Sequence, residues 1–152
     1  MIRRMRTAVV IGFGLVAVPL LAAPADTVRS RIAGLRELGA AFKNVNDALR
    51  GGEPQTILIQ QSAREIQNAA RAQYQWFPAG TGANPAWKTA AKPEVWTKAA
   101  EFRAAQDNFA RAATAFQRAA MGGDAAAMRT SARALGATCK GCHDRFRAEE
   151  KA

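Results

Sequence analysis

Apolar residues recur along residues 26–152 with the period of buried helix faces. Leu35, Leu38, Phe42, Val45 and Leu49 follow one another at steps of 3, 4, 3 and 4, which places them on one face of a helix. Phe102, Phe109 and Phe116 stand one heptad apart with alanines between them, and Met128, Ala132, Leu135, Cys139, Cys142 and Phe146 form a third stripe. Such seams of about 3.5 residues imply helices packed nearly antiparallel at a shallow angle. The breaks between them carry the expected chemistry. Asp26 or Thr27 is placed to cap a first helix that ends at Gly51-Gly52, and Pro54 lies near the first turn of a second that runs to about Trp76. Residues 77–92 contain Pro78, Gly80, Gly82 and Pro85 and read as a loop. Pro93-Glu94 opens a third helix that stops at Gly122-Gly123, and Asp124 caps a fourth that runs close to the end of the chain. The pattern predicts an all-α, antiparallel (up-down-up-down) four-helix bundle, with the phenylalanine stripe as core. Alanine is abundant, so the core it builds is thin.

The N-terminus changes the picture of where the protein works. Met1 to Arg6 is basic, Thr7 to Ala22 is almost wholly apolar, and Ala23-Pro24-Ala25 is an A-x-A cleavage sequence. This reads as a secretory signal peptide, 1–25, ahead of a single domain, 26–152. The apolar stretch is short for a membrane span and is interrupted by Pro19, although an uncleaved anchor is the alternative. The expectation is an exported protein, periplasmic, with no stable membrane insertion after cleavage. The formal charge of +10 becomes +7 when Arg3, Arg4 and Arg6 leave with the signal. A basic surface suits acidic protein partners or anionic surfaces, or is simply solvated. Nucleic acid is not an expected partner, because export leads away from it and the positive charge is spread along the chain.

The candidate chemistry is concentrated in five residues, Cys139-Lys140-Gly141-Cys142-His143, which hold both cysteines and the single histidine of the 152-residue chain. C-x-x-C-H is the signature of c-type haem attachment. Two thiols add across the haem vinyl groups, and the following imidazole takes an axial position on iron. On a helix the three groups share one face. Zinc needs about four ligands and this chain offers three. A thioredoxin-like pair needs a βαβ context that the pattern lacks, and a plain disulfide gives the histidine no role.

The residues around this motif carry a family resemblance. Arg31-Ile32-Ala33-Gly34-Leu35 on the first helix, Pro93-Glu94-Val95-Trp96 at the start of the third, and Cys139 to Arg147 on the last resemble the corresponding runs of cytochrome c′. The resemblance spans nearly all of the mature chain. It implies one covalent haem c, with Cys139 and Cys142 as thioethers and His143 as the axial iron ligand. It further implies Arg31 beside a haem propionate, Leu35 over the distal face, Trp76 at the haem edge through a looser alignment, and Arg147 on the proximal side. It also implies a homodimer. The alternatives are Arg31 as a solvated surface charge, Leu35 as an ordinary core leucine and Arg147 as a helix-end cation. A haem would fill much of the thin core, so the haem-free protein is expected to be poorly ordered.

The sixth iron ligand decides between functions. Relatives in this fold with a ligating methionine on the first helix carry electrons. Here Met1 and Met5 leave with the signal, and Met121 lies at the end of the third helix. Met128 lies 15 residues before His143 on the same helix, roughly 22 Å away at 1.5 Å per residue. A lysine such as Lys43 would first have to lose its proton. The expectation is therefore five-coordinate, high-spin iron under an apolar lid, suited to nitric oxide and carbon monoxide and capable of electron transfer with redox partner proteins. The alternative is a six-coordinate, low-spin electron carrier of the same fold. An enzyme is the least expected class, because no second histidine or acid–base pair is placed to act on bound peroxide.

Overall fold

A computed structural model describes residues 23–51 and 53–149. The proposed signal falls, for residues 1–22, outside the described residues. The helices are α1 (Pro24–Arg50), α2 (Thr56–Ala72), α3 (Glu94–Thr97), α4 (Ala99–Gly122) and α5 (Ala125–Phe146). The four long ones form the antiparallel bundle that the seams predict. Neighbours in sequence are neighbours in space: α1 packs on α2, α2 on α4 and α4 on α5, while α1 meets α5 only thinly.

The caps follow local chemistry with two departures. The Asp124 carboxylate accepts from the Ala127 amide at 2.6 Å and starts α5 as expected. Gly123, at φ +77°, supplies the left-handed turn that ends α4. The first departure is at α1, which in the uncleaved chain begins at Pro24, inside the expected signal, rather than being capped by Asp26 or Thr27. Proline is favoured at that position because its missing N–H would be unpaired there anyway. Asp26 instead contributes its charge within the first turn, where it pairs with Arg29. The second departure is a break in the third predicted helix. Lys98 (φ −117°, ψ 46°) separates the single turn of α3 from α4. Tertiary contacts orient that turn. Val95 is buried against Phe102 and Phe146, and the Trp96 indole N–H donates to the carbonyls of Phe77 (3.2 Å) and Pro78 (3.1 Å).

The core is in two unequal parts. The larger fills the end of the bundle remote from His143 and includes Val45, Leu49, Ile59, Ile66, Phe109, Phe116, Met128 and Leu135. The smaller consists of Val95, Phe102 and Phe146, with Phe77, Trp96 and Cys142 half-buried against it. The phenylalanine stripe of α4 therefore spans both: Phe109 and Phe116 are plain core, whereas Phe102 makes edge-on ring contacts with Phe77 (4.9 Å) and Phe146 (5.1 Å) next to Cys142.

Candidate functional site

Cys139, Cys142 and His143 lie on the last two turns of α5. Cys139 packs against the edge of the large core and Cys142 against the small one, so the motif bridges the two. The two cysteines are not joined in a disulfide. Burial raises the pKa of Cys139, and burial followed by the neighbouring Cys139 pushes Cys142 up to about 11. At neutral pH both are protonated thiols rather than thiolates, which is unlike a redox-active C-x-x-C pair. The His143 imidazole is exposed at the surface, yet partial desolvation, then the charge of Arg147, hold its pKa below the usual histidine range against the opposing effect of Asp144. It is thus a neutral imidazole with a lone pair available for a metal.

Across from this helix stands the N-terminal half of α1. Arg31 is 1% exposed. Its guanidinium donates to Thr81 Oγ1 (2.9 Å), to the carbonyls of Thr81 (3.0 Å) and Trp76 (3.3 Å), and to Thr89 Oγ1 (3.0 Å). It also stacks over the Phe77 ring at 4.8 Å. Every one of these partners is neutral, and burial lowers the Arg31 pKa. A buried cation satisfied in hydrogen bonds but not in charge is a place that favours an anion. Arg31 is therefore no solvated surface charge. Its donors are committed to Trp76 and to the 77–92 loop, which the sequence pattern treated as a simple connection.

Leu35, one turn along α1, is 38% exposed and belongs to neither buried cluster. Its backbone is nevertheless fixed. A Cβ on Gly34 would stand 2.7 Å from the Trp76 ring, so that ring lies directly on the α1 backbone beside Leu35. Seven residues further, Phe42 packs on Gly136, where a Cβ would meet the ring at 3.0 Å. These two glycines allow close approach of aromatic rings to α1 and α5.

Arg147 follows the last turn of α5 in an extended conformation (φ −111°, ψ 130°), with its amide donating to the His143 carbonyl at 3.0 Å. It pairs in an isolated antiparallel bridge with Ala91 of the loop. The structure thus gathers Arg31, Leu35 and Trp76 into one group on α1 and the loop, and Cys139, Cys142, His143 and Arg147 into another on α5. Thr89 and Lys92 join the two, and Thr81 holds Arg31 to the loop. Sequence reasoning had no signal for these, since threonine and lysine in a Gly/Pro-rich loop look like ordinary solvated residues.

The residues present fit a covalently held haem. Two protonated thiols and a neutral imidazole share one helix face, an uncompensated buried guanidinium suits a propionate, and a leucine is presented from the facing helix. Comparison with known proteins agrees. A family model described as "Cytochrome C'" matches residues 26–147. Cytochrome c′ of Pararhodospirillum photometricum is 37% identical over 126 residues, 83% of this chain and 99% of the relative. Among solved structures, cytochrome c′ from Thermochromatium tepidum superposes with a TM-score of 0.79 at 26% identity, over 84% of this chain and 98% of that one. A nitric oxide complex of a variant of cytochrome c prime from Alcaligenes xylosoxidans gives a TM-score of 0.77 at 26% identity, over 86% and 99% of the two chains.

Proposed function

The chain belongs to the cytochrome c′ family, whose cofactor is haem c, and from that premise we propose that it is an exported, periplasmic haem protein that binds diatomic gases at a five-coordinate iron. When bound, the haem would supply an iron able to take nitric oxide or carbon monoxide, and a redox couple for electron transfer.

The protein's own residues divide the remaining work. Cys139 and Cys142 anchor the haem to α5, and His143 offers its imidazole to the iron. Arg31, held rigid by four hydrogen bonds, places a positive charge for a propionate. Leu35 covers the distal face, Trp76 backs it, and Arg147 stands on the proximal side. The observation that carries the five-coordinate reading is where the other candidate ligands stand. Met128 is fully buried in the large core, 0% exposed, and Met121 projects at the far end of α4. Lys43 is paired with Asp47 on its own helix. An apolar lid offers no hydrogen bond to dioxygen, whose bound form is polar, and so favours nitric oxide and carbon monoxide. With His143 as the chain's single histidine, peroxidase chemistry lacks its distal base, and we place the protein among binding and electron-transfer proteins rather than enzymes.

No helix among the described residues is long and apolar enough to cross a membrane, which supports a protein free in the periplasm after signal cleavage. A homodimer is part of this reading: Ile57, an apolar residue at the start of α2, is 81% exposed, and light scattering should return twice the mass of the mature chain. The test of function is the absorption spectrum of the dithionite-reduced holoprotein before and after carbon monoxide. A broad high-spin spectrum that changes with the gas is expected. A sharp low-spin spectrum indifferent to it would make the protein a six-coordinate electron carrier.

A further inference from the structure

The 77–92 loop ties the two halves of the site together through one side chain. Thr89 Oγ1 accepts from Arg31 at 3.0 Å and also from the Ala91 amide at 3.2 Å. A hydroxyl oxygen has the two lone pairs this needs. Ala91 is the residue that faces Arg147 in the bridge. The bridge is closed by the Lys92 amide donating to the Phe146 carbonyl (2.9 Å) and the Ala148 amide donating to the Ala90 carbonyl (2.8 Å). Lys92 Nζ adds a bond to the Asp144 carbonyl at 3.2 Å. Two carbonyls of the last turn of α5, which no helical amide reaches, are therefore satisfied by the loop. Arg147 is four residues after His143 and would share its face if the helix continued. Its extended backbone takes it off the helix, and the bridge holds that backbone in place.

We propose that Thr89 is a positioning residue: it transmits the hold of buried Arg31 on α1 to the backbone of Arg147, and thereby fixes the Arg147 side chain relative to His143. The inference rests on the reading of His143 as the axial ligand. It makes the proximal side of the iron depend on an arginine of the opposite helix, through Thr89, Ala91 and the bridge.

The test uses holoprotein carrying Thr89→Val, which keeps the shape and removes the oxygen, with Thr89→Ser as the variant that restores it. Thr89→Ala, which removes the oxygen with less crowding, carries the same expectation as valine. Two quantities are read: amide hydrogen exchange at Lys92 and Ala148, and the iron–histidine stretching band of the reduced protein by resonance Raman spectroscopy. Loss of the oxygen should speed exchange at both amides at least about tenfold and shift the iron–histidine band, and Thr89→Ser should return both to wild type. Thr81→Val removes a different acceptor of the same guanidinium and should leave both readings near wild type. Unchanged exchange in Thr89→Val would overturn the link. So would an unmoved band with faster exchange, or the same change in Thr81→Val, which would mean general loosening. If wild-type protein shows no iron–histidine band, the axial reading fails, while the exchange arm still judges the link itself.

Discussion

Replacing Leu35 with alanine should accelerate carbon monoxide binding to the reduced holoprotein by about tenfold or more while leaving its thermal midpoint nearly unchanged. The two halves of this expectation come from different observations. Gly34 lies against the Trp76 ring with no room for a Cβ, so the α1 backbone next to Leu35 cannot move toward that ring, and with Leu35 over the distal face, as proposed, an incoming ligand would have to displace the leucine side chain. A steric cost of about 1.4–3 kcal/mol in the transition state corresponds to roughly a ten- to hundredfold change in rate. The stability half follows from burial. Leu35 is 38% exposed and outside both core clusters. Its truncation should therefore cost well under the roughly 2–5 kcal/mol of a buried leucine. Stopped-flow binding and a thermal melt on the same sample separate the readings. An unchanged on-rate with a large loss of stability would make Leu35 an ordinary core residue.

How much of this was legible in the sequence depends on the kind of signal each residue emits. Periodicity carried the bundle, because Val45, Phe116 and Leu135 have no way to be buried except on helix faces. The spacing of Cys139, Cys142 and His143 carried the cofactor chemistry, because three ligating groups on one face have few other uses. The break at Lys98 was hidden by its own surroundings: lysine followed by two alanines is helix-forming sequence, and only the hold of the loop on Trp96 and of Phe102 on Val95 overrides it. Arg31 was legible as a resemblance but not as chemistry. A lone arginine in a helix looks solvated, and its burial follows from Thr81 and Thr89, some 50 residues on, which no local pattern connects to it. Non-periodic loops encode their contacts in single hydrogen bonds, and these leave no trace in hydropathy.

The unequal core sharpens what removal of the haem should do. A Cys139→Ala/Cys142→Ala protein, made without covalent haem, should keep much of its helical circular dichroism yet lose a cooperative melt, its remaining transition lying about 15 °C or more below that of the holoprotein. The large cluster contains Val45, Ile59, Ile66, Phe109, Phe116, Met128 and Leu135, which pack on one another. The cluster near His143 is smaller, Val95, Phe102 and Phe146, with Val28 also buried on α1. That end also holds the Arg31 guanidinium among neutral partners, and a buried charge deprived of a counter-ion is expensive. Losing on the order of 5 kcal/mol there would remove much of the 5–15 kcal/mol that typically holds a domain together. The sequence supplies a local probe, since Trp76, Trp87 and Trp96 are its three tryptophans and all lie between α2 and α4. Their fluorescence should become solvent-like in the haem-free protein well before helix is lost. A cooperative melt near the holoprotein midpoint, with the tryptophans still shielded, would mean that the Arg31–loop end folds on its own. The haem would then be bound by a finished protein rather than completing it.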